Sequence, residues 1–270
     1  MVIDDIKTAK AFATSWNNLP QGSIYTFDQF EEWVAPLNKS NFEDKNILEL
    51  GCGNASLLVH CVKWNPAFIT GIDLGDSVLS AQSNLKQTGY TNFIIEKGDL
   101  TDYIAKNKFD LVFSIGVLHH LKEPQKGFIS IIENTKQGGH FHCWVYAKEG
   151  NALIRYIVDP LRKIVSGLPW WFNKYFIATP LSFLYFLYAH LITTLHFSFM
   201  PLYKYSKWIT KRNFLFFRHV AFDQLVTPQT TYIERETIEK WLMSEKRIDK
   251  QSIYIIFRNG NSWKFGGKII

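Results

Sequence analysis

Residues 46–56 read Asn46-Ile47-Leu48-Glu49-Leu50-Gly51-Cys52-Gly53-Asn54-Ala55-Ser56. Residues 47–50 form a short apolar run interrupted by one acid, the pattern of a strand covered on both faces. Two glycines follow at once. Lacking Cβ atoms, they let the chain turn tightly and let a ligand approach the backbone. A glycine pair alone is a weak sign, and its neighbours sharpen it. A dinucleotide-binding turn would carry a third glycine at position 56, where Ser56 stands. Glu49 puts a carboxylate at the strand end, where it suits a cationic ligand and opposes an anionic pyrophosphate.

Outward from this turn, apolar runs alternate with amphipathic stretches. The pattern predicts helix at 55–64, strand at 68–73, helix at 76–88 with Asp76 or Ser77 near its cap, and strand at 92–96. It continues with strand at 109–115, helix at 124–134, and strand at 140–146 after a Gly138-Gly139 turn. Residues 4–18 and 26–37 read as two helices, broken at Pro20-Gln21-Gly22-Ser23. The alternation stops at 150–230, an aromatic and basic stretch broken by Pro160, Pro169, Pro180, Pro201 and Pro228. It resumes with helix at 234–245 and two strands, 252–258 and 262–268, around Asn259-Gly260-Asn261, a strong hairpin signal. Such alternation implies a parallel sheet with helices on both faces, closed by an antiparallel pair.

The ends of the other strands continue the chemistry of the first. Asp73 stands 24 residues after Glu49, where a carboxylate can accept both hydroxyls of a ribose. Asp99, in Lys97-Gly98-Asp99-Leu100, can accept from an adenine amine, and Ser114-Ile115-Gly116 ends the fourth strand. Ligands of open α/β sheets bind at the carboxyl ends of strands, where all of these fall. A nucleoside bearing positive charge fits them, and S-adenosylmethionine (SAM) carries both a sulfonium and an ammonium.

The segments Glu49-Leu50-Gly51-Cys52-Gly53, Gly71-Ile72-Asp73, Gly98-Asp99 and 109–121 resemble the motifs of class I SAM-dependent methyltransferases. The resemblance covers 46–147 by motif and 234–270 by architecture. It implies an α/β fold with a seven-stranded, mostly parallel sheet of order 3-2-1-4-5-7-6, N-terminal helices and a helical insertion. The implied organisation is a helical cap at 1–40, a SAM-binding core at 41–149 and 231–270, and a lid or insertion at 150–230. Ala55 replaces the usual third glycine of the motif, a departure the family tolerates. The implied activity is methyl transfer from SAM to a small or amphipathic acceptor, releasing S-adenosylhomocysteine. A membrane-associated lipid or quinone methyltransferase and a non-catalytic SAM-binding subunit are the competing readings. The expected cofactor site is Glu49, Gly51, Cys52, Gly53, Asp73, Leu74, Asp99, Leu100, Ser114 and Ile115. Tyr25 is the favoured cap residue among Trp16, Tyr25, Phe27, Phe30 and Trp33.

His119 and His120 follow the fourth strand, beside the expected point of methyl transfer. An unperturbed imidazole, with a pKa of about 6.5, suits proton removal at neutral pH. Neighbouring helical residues point about 100° apart, so one of the pair is expected to face the cavity. Tyr146, ending the fifth strand, is the third catalytic candidate. His140 and His142 share a strand face and read as packed structural residues. Four histidines without a carboxylate at ligand spacing give no metal site, so no metal is expected.

The net charge is +6, yet residues 150–220 hold nine cations against the single anion Asp159. The same stretch carries 18 of the 43 aromatics, and 29 uncharged residues separate Lys174 from Lys204. That run is long enough to cross a bilayer. One crossing, however, would separate two halves of one sheet. Three readings of the insertion remain: a lid over an apolar acceptor pocket, an in-plane membrane contact, or a homodimer interface. A nucleic-acid surface is disfavoured, because the aromatics cluster apart from the cations. Arg155, Arg162 and Arg218 are candidates to hold an acceptor's carboxylate or phosphate. Cys52, Cys61 and Cys143 show no paired spacing and read as reduced thiols. The N-terminus lacks the apolar stretch of a signal peptide. A cytoplasmic protein is expected, with peripheral membrane contact as the variant.

Overall fold

A computed structural model describes residues 3–17, 25–227 and 229–270, without the side chains of 3–4 and 14–17. The expected break at 20–23, Pro228 and the side chain of Trp16 lie outside the described residues. Seven strands form one sheet: β1 (Asn46–Leu50), β2 (Phe68–Asp73), β3 (Phe93–Lys97), β4 (Phe109–Ile115), β5 (Thr135–Tyr146), β6 (Tyr254–Arg258) and β7 (Ser262–Lys268). Their order is β3-β2-β1-β4-β5-β7-β6, as the family resemblance implies. The first five run parallel, β7 lies antiparallel to β5, and β6 lies antiparallel to β7.

Alternate residues of the central strands enter opposite layers. On β4, Leu111 and Phe113 join the layer of Phe30, Phe42 and Trp64, while Val112 joins that of Phe128, Trp241 and Phe265. The covering helices are α1 (Ile3–Asn17), α2 (Phe27–Val34), α3 (Leu58–Cys61), α4 (Val78–Gln87) and α5 (Pro124–Asn134). Thr26 opens α2 with a reciprocal capping box to Gln29.

Several elements differ locally from the sequence pattern. The helix expected at 55–64 shrinks to α3 and a 3-10 turn, Val62–Trp64, because the ligand loop consumes its start. Ala55 takes a left-handed φ of 63° there, and Asn54 Oδ1 accepts from the Ser56 amide and hydroxyl. Ser77 stands at the N-cap of α4, as the pattern places it, but its hydroxyl donates to Asp73 Oδ1 rather than accepting from the helix. Gly138-Gly139 is no turn. It lies inside β5, where the register against β4 shifts between Phe109 and Leu111.

The stretch after β5 is mostly helical, with turns between its helices. A π-helical segment, Ile154–Val158, leads into α6 (Asp159–Val165). Then come α7 (Trp170–Thr194), α8 (Tyr203–Ile209), α9 (Phe214–Val226) and finally α10 (Arg235–Ser244). Pro160 does not break the run: the helix continues from the π-helical turn, where the Asp159 amide donates to the Ile154 carbonyl, into α6, and that wider turn accommodates the proline's missing N–H. The insertion leaves and rejoins the sheet at one place. Ala147 bridges Ile233, and the Ile233 amide donates to the Tyr146 carbonyl. Asn151 Nδ2 donates to the carbonyls of Ala147 and Asn261, tying this root to the β6–β7 turn.

Gly150 makes that root possible. Its φ is +75°, and an added Cβ would lie 1.7 Å from the Gly260 carbonyl oxygen. Gly150→Ala is therefore expected to cost more than about 1 kcal/mol of stability in denaturant unfolding, with the insertion loosened from the β6–β7 turn.

Candidate active site

At the carboxyl ends of β1, β2 and β4 the structure encloses a cavity of about 510 Å³, the size of a small-molecule site. Of the expected cofactor residues, Glu49, Gly51, Cys52, Gly53, Asp73, Leu74, Asp99, Leu100 and Ile115 line it, together with Tyr25. Ser114 does not. It is fully buried, and its hydroxyl donates to the Leu50 carbonyl at 2.8 Å, fastening β4 to β1. Strand parity explains the correction, since Ile115 turns to the cavity and its neighbour turns away.

The glycine turn is built by backbone demand. Gly51 has φ +84°, and a Cβ there would lie 2.4 Å from Val117 Cγ2. Its amide donates to the Ile72 carbonyl at 2.7 Å, which fixes the turn against β2. Gly53 (φ +53°) donates its amide to Asp73 Oδ2, and the Gly75 amide donates to Asp73 Oδ1, both at 2.8 Å. These bonds hold the Asp73 carboxylate rigid at the cavity wall. Burial nevertheless raises its pKa, partly offset by the Gly75 and Gly53 amides.

Glu49 is only 2% exposed, and its Oε2 is buried with no hydrogen-bond partner among the described residues. Burial, then the nearby Asp73 charge, holds its carboxyl well above the usual carboxylate range. A buried acceptor without a donor is costly, so this wall of the cavity is shaped for a cationic donor. Asp99 accepts from the Thr101 amide and hydroxyl, both on Oδ1, so its orientation is set by its own loop. The chemistry of these residues fits SAM: an unsatisfied carboxyl at Glu49 suits a cationic group, and the amide-held carboxylates of Asp73 and Asp99 suit hydroxyl and amine donors.

The two histidines part company. His120 lines the cavity, whereas His119 is fully buried behind it, outside the lining. Both lie in a 3-10 turn, Leu118–His120, that precedes α5. The His119 ring packs against Tyr146 with centroids 4.1 Å apart, and its Nδ1 faces the Tyr146 amide at 3.4 Å. Burial drives its pKa well down, so it is a neutral packing residue. His120 Nδ1 lies 3.0 Å from the Gln229 carbonyl oxygen, which can only accept. That contact places the ring proton on Nδ1 and leaves Nε2 with an open lone pair. Burial, the largest influence, lowers the His120 pKa to about 4, which keeps the ring neutral at physiological pH. Tyr146 lines the cavity beside it; its oxygen accepts from Gln224 Nε2 at 2.7 Å, and burial pushes its pKa up to about 12. The hydroxyl therefore keeps its proton as a donor.

The remaining expectations divide. His142 is a structural residue, bonded to the Trp33 carbonyl and the Tyr254 hydroxyl. Arg162 does not face an acceptor. It is 4% exposed and engages Asp159, the Gln224 carbonyl and Gln224 Oε1. Arg155 and Arg218 also lie outside the cavity lining and flank Tyr156 and Tyr175. Phe27 and Phe30 pack in the core, whereas Trp33 reaches the cavity beside Tyr25.

Several lining residues carry no signal in the sequence pattern. Asp5, Thr8, Ala9 and Phe12 of α1 cover the cofactor end, with Asp5 Oδ1 accepting from the Lys122 amide. The far end comes from the insertion, with Leu161, Tyr185, Tyr205, Phe217, His219 and Asp223 among its walls. His219 and Asp223 are paired at 3.1 Å, and their i, i+4 spacing was the one legible clue.

Residues 41–158 match the methyltransferase domain family. The chain is 32% identical over 117 residues to a tRNA U34 carboxymethyltransferase of Nautilia profundicola, covering 40% of this chain and 35% of that one. It is 26% identical over 97 residues to a ubiquinone biosynthesis O-methyltransferase of Coxiella burnetii, covering 35% and 41%. The aligned stretch thus spans less than half the length of these relatives. In fold the chain is similar to magnesium protoporphyrin IX methyltransferase from Synechocystis, with a TM-score of 0.53 at 13% identity over 90% of this chain and 82% of that one. Strand order, glycine turn and family match agree: residues 41–158 carry a methyltransferase domain with the class I, S-adenosylmethionine-dependent fold.

Proposed function

We propose that the protein transfers a methyl group from SAM to an acceptor that is largely apolar and presents one protic oxygen or nitrogen, with the insertion as a lid over that acceptor. The observation that carries this reading is His120: a neutral imidazole with an open Nε2, on the wall of a cavity that also contains the unpartnered Glu49 oxygen.

The cofactor, when bound, supplies a methyl group made electrophilic by its sulfonium. Glu49 and the Gly51–Gly53 turn hold its amino-acid part, Asp73 its ribose and Asp99 its adenine. Tyr25, Leu74, Leu100 and Ile115 pack against it. His120 Nε2 accepts the acceptor's proton as the acceptor becomes cationic during attack. A weak base suffices, because an alkylated oxygen or nitrogen is far more acidic than the free one. Tyr146 donates to a second polar atom and orients the ring or chain that bears the nucleophile. Walls of leucine, phenylalanine and tyrosine exclude water, and alignment then contributes much of the rate. The family match ends at residue 158, before α6 to α9, so the shape of the acceptor chamber is set mainly by residues outside that match, whereas His120 and Tyr146 lie within it.

Three outcomes are expected. Glu49→Gln weakens S-adenosylhomocysteine binding in calorimetry by roughly 10- to 100-fold, the worth of a charge-assisted hydrogen bond. His120→Ala lowers kcat by roughly 10²- to 10⁴-fold while cofactor affinity stays near wild type. A product search with methyl-labelled SAM and lipid and aqueous extracts supplies the acceptor, and equal product from wild type and His120→Ala would sink the base role.

Acid should weaken the fold through the same histidine. The folded pKa of His120, about 4, lies below its unfolded value of about 6.5. The neutral ring therefore contributes its full stability above pH ~6.5, and this is lost as pH falls toward ~4. His119 and His142 shift in the same direction. Denaturant midpoints should fall across that window, and His120→Gln should shrink the fall.

A further inference from the structure

We propose that the outer face of α7 is a membrane-docking surface for an anionic phospholipid bilayer, and that the cavity opens onto that surface. Access of the acceptor by this route rests on the methyl-transfer reading; the docking itself does not.

α7 is built inside out for a helix in water. Its buried positions include Asn173, Ala178, Ser182 and Ala189, small or polar residues. Its outward positions are large and apolar: Phe172, Phe176, Phe183, Leu187 and Leu191 follow one another at four- and seven-residue spacing, one stripe of a helix. Phe176 and Leu184 are each 63% exposed. Exposed Tyr156, Ile157 and Ile164 continue the patch on the preceding helical turns. A contiguous apolar surface of this kind marks a partner rather than solvent.

The charges around the patch select the partner. Exposed Lys163 stands next to exposed Ile164, and Lys174 of α7 and Arg218 of α9 lie over the α7 rings of Trp170 and Tyr175. Apolar side chains flanked by lysine, arginine, tryptophan and tyrosine match the headgroup–acyl boundary of an anionic bilayer. A second copy of this chain would set the same cations against each other. α7 is long enough to cross a bilayer. Yet its inner side packs on α8 and α9 and contributes Leu181, Ser182 and Tyr185 to the cavity, so it lies along the membrane plane.

The cavity reaches this face. Leu153 and Ile157, at the start of the insertion and adjoining exposed Tyr156, are exposed at the surface and also line the cavity. An amphipathic acceptor can pass from the acyl region into the chamber without exposing its apolar part to water.

Flotation of the full chain with vesicles tests the docking. Binding is expected to phosphatidylcholine vesicles containing phosphatidylglycerol, to be weaker with phosphatidylcholine alone, and to fall with salt. Phe176→Ser/Leu187→Ser and, separately, Lys163→Glu/Arg218→Glu are each expected to weaken binding roughly tenfold or more, with S-adenosylhomocysteine affinity unchanged as proof of an intact fold. Absence of vesicle binding by wild type overturns the proposal, as does a dimer in solution that Phe176→Ser/Leu187→Ser dissociates while vesicles capture nothing. Neither result bears on methyl transfer, which the labelled-product search decides independently.

Discussion

The buried guanidinium of Arg162 must be fully satisfied, and satisfying it determines where the insertion sits. Its partners are Asp159 on its own helix and the side chain and carbonyl of Gln224 on α9. Gln224 in turn donates to Tyr146 at the end of β5, and Tyr232 donates to Asp159. One chain of hydrogen bonds thus runs from two insertion helices to the sheet and to the wall of the cavity. A buried charge tolerates few arrangements, so it favours one docking geometry over the looser ones that apolar packing alone would permit. The walls at the acceptor end, the orientation of Tyr146 and the shelter around His120 all depend on that geometry.

The two ends of the cavity are built on opposite principles. At the cofactor end, rigid backbone and carboxylates are held by amides, as when Gly53 and Gly75 clamp Asp73. At the acceptor end, side chains of four helices make an apolar wall with few polar points. The first design recognises one fixed molecule. The second selects for shape and for the position of a single polar group, and it can be retuned by substitutions that leave the sheet untouched.

The sheet was legible because its central strands are apolar on both faces and each acid falls at a strand end. The hairpin was legible through Asn259-Gly260. The carboxylates Glu49, Asp73 and Asp99 were legible for the same reason, since strand ends in a parallel sheet converge on one edge. Ser114 was misread because two adjacent strand residues were both assigned to the cavity, whereas alternation sends them to opposite faces. His119 and His120 could not be separated, because a 3-10 turn rather than a helix sets their directions. The residues of α1 were hidden by an ordinary amphipathic pattern. The insertion was opaque for a deeper reason: α7 turns its apolar residues outward, so the usual assumption that apolar means buried inverts its faces.

The stitching of Ala147 to Ile233 has a consequence for how such proteins diversify. About eighty residues leave and return through a gap of one β-bridge. Closing a loop costs entropy that rises only with the logarithm of its length, so the sheet is nearly indifferent to what is spliced between those two points. The junction behaves as a socket. Segments of very different size and chemistry could be exchanged there by recombination, each bringing its own chamber and its own place in the cell, while the methyl-donor half of the molecule stays the same.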